Sequence, residues 1–381
     1  MSETYLLSPG PTPVPEPARL RMARRSIHHR GPEFKEIFGR VRKGLKWLFE
    51  TEQEVISLTT SGTGAFEAAM VNFTSRGDKF VAIGGGKFGE RWGEVAESNG
   101  REAVELEVEW GTSVSLPALE ATLEKHPDVA MVTLTASETS TGVLHPVGAV
   151  GEMVREKTDA LFAVDGITAV GVHLLPMEEL PVDVMVGGSQ KAFGVPPGLG
   201  FVAASEAAWQ AYDEADSPGY YFDLGREKGR HADNQTAFTP AVPQILALDE
   251  VLKMMREEGR DGIVRRHEVN ARATRGAVNA LGLEVFGEPH SNAVTAVDTG
   301  DELSAPDIVT RMREDHGAVI AGGQKHLKPH VIRLGHIGFF EQRDILHMIS
   351  ALELTLSEMG EPVQPGEGVQ AAQSTFASAS R

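Results

Sequence analysis

The chain reads as an α/β protein, with a mainly parallel sheet sandwiched by helices and then a smaller C-terminal α+β domain. Three observations predict this. Between residues 54 and 204, short Val/Ile/Leu/Ala runs alternate with helical stretches, the rhythm of parallel strands joined by crossover helices. Those runs are apolar throughout rather than at every second position, so both faces of the sheet are covered. After Pro240 the rhythm changes to long helices followed by short mixed elements. The expected organisation is an N-terminal arm over 1–20, a large domain over 21–258, a small domain over 259–360 and a disordered tail over 361–381.

Composition bounds the function. A chain of 381 residues with 41% hydrophobic and 24% charged residues matches a globular protein long enough for more than one core. Its net charge of -18 opposes a nucleic-acid backbone and favours small-molecule partners. No apolar run approaches the roughly 20 residues of a membrane helix. With no cysteine there is no disulfide, thiolate metal site, iron-sulfur cluster or cysteine nucleophile. Residues 19–46 carry ten Lys or Arg against two acids, read as a solvated helical face. The start, Met-Ser-Glu-Thr followed by Pro-Gly-Pro-Thr-Pro, has neither the apolar stretch of a signal peptide nor an amphipathic transit helix, so a cytoplasmic protein is expected.

The elements follow in order. Val55-Ile-Ser-Leu58 is a strand, and Ser61-Gly62-Thr63-Gly64 opens a helix that continues through Ala65-Phe-Glu-Ala-Ala-Met70. Free backbone N–H groups and the positive end of a helix dipole make such a turn a place for an anion. It is not a dinucleotide fingerprint, since Glu67 stands where the third glycine belongs, and Gly84-Gly-Gly-Lys87-Phe88 lacks the spacing of a P-loop. Further strands are expected at 80–83, 130–135, 161–164 and 182–186. A helical stretch over 243–281 is broken near Gly259-Arg-Asp-Gly262. Then come a strand at 292–297, a helix at 305–315, strands near 318–321 and 331–335 and a helix at 341–359. From Glu361 onward small and polar residues dominate without an evident helical period.

Asp165 ends the strand Leu161-Phe-Ala-Val, and Lys191 follows the strand within Val184-Met-Val-Gly-Gly-Ser-Gln-Lys191. In parallel sheets ligands collect at the carboxyl ends of strands. A lysine and a carboxylate so placed suit pyridoxal 5'-phosphate, which needs an amine to bond to its aldehyde and a carboxylate to keep its ring nitrogen protonated. Each residue alone also has an ordinary reading, a helix N-cap for Asp165 and a solvated side chain for Lys191. No metal site is expected. There is no His-Glu-x-x-His, and Pro329 denies His326 and His330 a common helical face.

The ordered motifs Pro9-Gly10-Pro11, Ser61-Gly62-Thr63-Gly64 with Glu67-Ala-Ala, Glu138-Thr-Ser-Thr-Gly142, Val164-Asp165, Gly188-Ser-Gln-Lys191 and Ile332-Arg333-Leu-Gly335 carry a resemblance. The chain resembles the class V aminotransferases of fold type I, most of all the alanine-glyoxylate and serine-pyruvate group, over about residues 5–358. Some relatives in that group are labelled soluble hydrogenase small subunit. The resemblance implies that Lys191 bonds to the cofactor and then moves the proton between substrate Cα and cofactor, and that Asp165 pairs with the pyridinium nitrogen. It makes Ser61, Gly62, Thr63 and Gln190 phosphate ligands, with Thr239 reaching the phosphate of a neighbouring subunit in a homodimer with shared active sites. Phe88 falls where the family stacks an aromatic ring on the cofactor, Thr139 where a Ser or Thr touches it, and Arg333 where an arginine grips the substrate α-carboxylate.

The reaction so implied moves an amino group from alanine or serine to glyoxylate or pyruvate by a ping-pong route. Two alternatives stay open. His29-Arg30 resembles a pair that binds the second anionic group of phosphoserine, and a kynureninase-like lyase or hydrolase shares the fold type. Tyr5, Thr12, His29, Arg30, Gln324 and His336 are candidates for choosing the substrate.

Overall fold

The computed structural model describes residues 4–216 and 219–379. Its first part runs β1 (Tyr5–Leu6), α1 (Glu16–Met22), α2 (Pro32–Leu48), β2 (Val55–Leu58), α3 (Gly62–Phe73), β3 (Lys79–Ile83), α4 (Lys87–Ser98) and β4 (Glu102–Leu106). Next are α5 (Leu116–Lys125), β5 (Val129–Thr135), β6 (Ser137–Glu138), β7 (Val143–Leu144), α6 (Val147–Lys157), β8 (Leu161–Asp165), β9 (Val184–Gly188) and β10 (Gly200–Ala204). Helices α7 (Glu206–Glu214), α8 (Leu224–His231), α9 (Val242–Glu258) and α10 (Arg260–Ala280) lead to β11 (Glu284–Val285) and β12 (Val294–Asp298). The chain continues with α11 (Ala305–Glu314), β13 (Ala318–Val319), β14 (Ala321–Gly322), a 3-10 turn (Lys325–Leu327), β15 (Val331–Gly335), α12 (Gln342–Glu358) and α13 (Glu367–Ala379).

The central sheet has seven strands in the order β2-β10-β9-β8-β5-β3-β4. Strands β9, β8, β5, β3 and β4 pair in parallel. β10 is antiparallel to both β9 and β2, so β2 points the same way as the parallel strands and β10 alone is reversed. Every residue of β2, β8, β9 and β10 is buried, as the unbroken apolar runs require of a sheet covered on both faces. One cluster of buried side chains, including Phe38, Leu45, Phe162, Phe193 and Leu248, packs against one face. A second, including Phe66, Phe80, Trp92 and Val186, packs against the other. A four-stranded antiparallel sheet, β11-β12-β15-β14, has its own core with α10, α11 and α12.

The end of the chain differs from expectation. Residues 367–379 of the supposed disordered tail form α13, with Gly368, Ala372 and Phe376 buried, while 380 and 381 lie outside the described residues. These three positions are four apart and so share one helical face. A Cβ on Gly368 would lie 3.0 Å from Leu281 and 3.1 Å from Ile349, so small residues let α13 approach closely where larger ones would hold it off. The buried Glu353 carboxylate accepts from Gly368 N at 2.9 Å and caps the helix start. Among the described residues no helix is long and apolar enough to cross a membrane.

Candidate active site

Because β2 runs with the parallel strands, its carboxyl end and those of β3, β5, β8 and β9 open on one edge of the sheet. That edge gathers Ser61–Thr63, Phe88, residues 137–142, Asp165 and Gln190–Lys191, which are scattered over 131 residues of sequence.

Lys191 is buried, and its Nζ donates to Pro9 O at 2.7 Å. The N-terminal segment wraps the lysine. Thr12 Oγ1 donates to Lys191 O at 2.9 Å, and Thr12 N to Gln190 O at 3.1 Å. Gly10, at φ +133°, passes so close that a Cβ there would lie 2.5 Å from Nζ, so any side chain would displace the amine. Burial, and then the charge of Arg333, push the Lys191 pKa down to about 8, while Asp165 and Glu138 act in the opposite direction. The amine is thus closer to its neutral, nucleophilic form at neutral pH than a solvated lysine.

Asp165 is 3% exposed and accepts one hydrogen bond, from Ile167 N to Oδ1 at 2.9 Å. Among the described residues its Oδ2 has no hydrogen-bond partner and the carboxylate forms no ion pair. Burial raises its pKa to about 7, against which the Ile167 N–H works, while nearby Glu138 adds to the rise. A buried carboxylate with one oxygen uncommitted is ready to receive a cationic N–H.

Ser61 is the N-cap of α3, and its Oγ accepts from Gly64 N at 3.4 Å. A Cβ on Gly62 would lie 2.3 Å from Ile167, so glycine lets this turn sit against the segment after Asp165. The amide oxygen of Gln190 is buried and has no hydrogen-bond partner among the described residues. Thr63 Oγ1 accepts from Arg91 Nη1 at 3.1 Å. Arg91 belongs to none of the sequence motifs. Its guanidinium lies 4.7 Å from the centre of the half-buried Phe88 ring, and its position one helical turn beyond Phe88 was the available signal.

Arg333 comes from β15 of the second sheet. It is 7% exposed, donating Nε to Gly322 O at 2.8 Å and Nη1 to Thr139 O at 3.1 Å. No ion pair involves it among the described residues. Burial lowers its pKa to about 10, with Glu138 opposing. A guanidinium oriented by two carbonyls and lacking a carboxylate is arranged to bind one. Thr139 Oγ1 shares a hydrogen bond of 2.8 Å with Thr168, which anchors its loop beside Asp165.

The remaining candidates separate. Thr239 is exposed and makes no hydrogen bond among the described residues, so it is not part of this cluster within one chain. The Arg30 guanidinium is committed to Gln235 Oε1, Thr236 O and Ala237 O, at 2.9, 2.6 and 3.2 Å, and so holds the loop leading to Thr239. His336 is fully buried between Thr295 and Asn292, and burial lowers its pKa to about 3. Tyr5 is 52% exposed beside His347. His29 stacks on His28. Gln324 keeps a buried amide oxygen without a partner in the loop after Gly322, the residue whose carbonyl orients Arg333.

This chain is similar to a "Soluble hydrogenase 42 kDa subunit" of Anabaena cylindrica, at 43% identity over 97% of this chain and 98% of that one. It is 31% identical to a "Serine--glyoxylate aminotransferase" of Methylorubrum extorquens, over 97% of this chain and 95% of the other. Among solved structures, an alanine-glyoxylate aminotransferase from Nostoc superposes with a TM-score of 0.89 at 27% identity, covering 93% of this chain and 96% of that one. Fold and site together define a transaminase of fold type I. Residues 4–340 match the family described as Aminotransferase class-V, and the chain belongs to it.

Proposed function

We propose that the protein holds pyridoxal 5'-phosphate at this sheet edge and transfers an amino group from alanine or serine to glyoxylate or pyruvate, releasing the first product before the second substrate binds. The observation that carries the reading is that a buried lysine of lowered pKa and a buried arginine without an ion pair lie close enough for the charge of one to act on the other, beside the buried carboxylate of Asp165. The residues present fit the cofactor. Asp165 has a carboxylate oxygen without a hydrogen-bond partner, Gly62 and Gly10 let the helix start and the N-terminal segment close on Ile167 and Lys191, and the Gln190 side-chain amide has no partner to its oxygen and carries an NH2 that can donate to a phosphate.

When bound, the cofactor supplies an electron-withdrawing ring that accepts the electrons released at substrate Cα. Ser61, Gly62, Thr63 and Gln190 would hold its phosphate at the start of α3, where backbone N–H groups and the helix dipole favour an anion. Asp165, with one carboxylate oxygen uncommitted, would pair with the ring nitrogen. Phe88 would cover one face of the ring and exclude water from it. Arg333 would hold the substrate carboxylate, and Lys191 Nζ would take the proton from substrate Cα and return it. Thr139 joins two parts of this arrangement, with its carbonyl on Arg333 and its hydroxyl on Thr168 in the loop after Asp165.

Thr239 stands exposed at the end of the loop held by Arg30, and we assign it to the phosphate of a second subunit in a homodimer with shared active sites. The same three hydrogen bonds disfavour phosphoserine as the donor, because they leave Arg30 few donors for a second anionic group. A redox role of the kind named for the Anabaena relative would need a centre held elsewhere, since this sequence has no cysteine to ligate one.

The test is a panel of donors (alanine, serine, aspartate and phosphoserine) against glyoxylate and pyruvate. The reading predicts stoichiometric amino transfer with alanine or serine preferred. Ammonia or anthranilate released without a 2-oxo acid would contradict it in favour of a lyase or hydrolase.

A further inference from the structure

Glu138 has no part in the chemistry above, yet it is a fully buried carboxylate at the centre of the site. Its Oε2 accepts from Phe88 N and Gly89 N, each at 3.0 Å, and its Oε1 accepts from Ser140 N at 2.9 Å and Ser140 Oγ at 2.6 Å. Phe88 and Gly89 belong to the first turn of α4, whose N-cap, Gly86, offers no side chain. A Cβ on Gly86 would lie 2.2 Å from Glu138 Cγ, so the glutamate occupies the place of a local cap. The helix that carries the ring is thus capped by a carboxylate fifty residues away in sequence, at the end of the dipole where an anion is favoured.

The next two residues extend the connection. Thr139 O receives Arg333 Nη1, Thr139 Oγ1 is bonded to Thr168, and Ser140 Oγ accepts from Lys87 N at 3.1 Å. Three consecutive residues therefore join the helix bearing Phe88, the loop after Asp165 and the arginine of the second sheet.

We propose that Glu138 is a positioning residue that sets the plane of Phe88 against the cofactor and fixes Arg333, through Thr139, in the same frame. The proposal rests on the cofactor-binding reading above. Glu138 accepts from four donors and donates to no group among the described residues, which is the hydrogen bonding of an ionised carboxylate. It opposes the effect of burial on Arg333 and favours the protonated forms of Lys191 and Asp165. Burial itself raises the Glu138 pKa, and the four donors work against that rise. The other charged groups acting on this cluster are Arg333, Lys191, Asp165 and Arg91.

The experiment compares wild type, Glu138→Gln, Phe88→Leu and the double variant as full chains loaded with pyridoxal 5'-phosphate. Three quantities are read: the cofactor dissociation constant, the pH midpoint of the visible absorbance, and the melting temperature. In Glu138→Gln the side-chain oxygen can still accept from Phe88 N and Gly89 N while the NH2 faces Ser140 N, so the charge and one N–H acceptor are lost but the helix stays capped. Expected are a cofactor dissociation constant raised about tenfold, as for loss of a charge at a helix N-terminus together with the acceptor for Ser140 N, and a midpoint moved to lower pH. In the double variant the two losses should not add. Additive losses, or an unmoved midpoint with only a lower melting temperature, would make Glu138 a structural cap and overturn the proposal. Should Glu138→Gln not fold, Ser140→Ala removes one donor to the carboxylate and must reproduce the affinity loss in weaker form. A wild-type protein that binds no cofactor would instead defeat the functional reading on which the proposal rests.

Discussion

Removing the Lys191 amine should stabilise the cofactor-free protein, a result opposite to that of most substitutions at a buried, hydrogen-bonded residue. The Lys191 pKa is about 8 in the folded chain against 10.5 for the free side chain. Between those values the unfolded chain binds more protons than the folded one, so stability rises with pH across the window. Below about pH 8 the folded state bears the whole penalty. Two and a half units correspond to roughly 3 kcal/mol. Lys191→Met keeps most of the side-chain volume but loses the Nζ hydrogen bond to Pro9 O, worth ~1 kcal/mol. The net gain at pH 7 is about 2 kcal/mol, or roughly 2–3 °C in melting temperature for a chain of this size. Scanning calorimetry on stripped protein, at one scan rate and concentration, should show that gain at pH 7 and its loss near pH 10. A variant less stable than wild type at pH 7, or a difference that ignores pH, would refute the claim that Lys191 is held as a poorly solvated amine.

Asp165→Asn should show the mirror dependence. The folded pKa of about 7 lies above the free value of 3.8, so the cofactor-free variant should match wild type near pH 4 and exceed it in stability above pH 7, as followed by denaturant unfolding. Arg333→Lys keeps a charge but cannot bond Gly322 O, Thr139 O and a substrate carboxylate together. Its kcat/KM for alanine should fall about 100-fold, roughly 3 kcal/mol, with no comparable loss for an amine lacking the carboxylate. Thr239→Ala should weaken pyridoxal 5'-phosphate binding about tenfold in concentrated protein and leave little further to lose on dilution, measured by equilibrium dialysis. Ending the chain at Pro365 uncovers the face of Leu281 and Ile349 that α13 buries, and should lower stability by a few kcal/mol in thermal melts.

Sequence revealed most where local patterns carry the physics. Apolar runs that end in a polar residue mark strands, and Asp165 is the last residue of β8 while Lys191 follows the end of β9 by three residues. The break between α9 and α10 was visible because Gly259, at φ +78°, tolerates a backbone that other residues resist. Contacts between distant segments left no such mark. Glu138 caps a helix fifty residues earlier, and nothing near either residue announces it. Arg30 resembled an anion-binding residue, but its donors are turned to the carbonyls of 235–237. The tail was misread for a different reason. Its buried face consists of Gly368, Ala372 and Phe376, and a stripe made largely of small residues registers weakly as hydrophobic even when its spacing is helical.

The central claim is that Lys191 serves a reversible amino transfer on a bound pyridoxal 5'-phosphate. Its most direct test is a single half-reaction, in which protein loaded with the cofactor is mixed with alanine or serine alone and its visible spectrum is followed. The account predicts that the absorbance changes once, with one equivalent of 2-oxo acid released per site and no ammonia. Added glyoxylate should restore the original spectrum, and Lys191→Ala should do neither. Ammonia release, continued turnover without a 2-oxo acid, or an unchanged cycle in Lys191→Ala would contradict it.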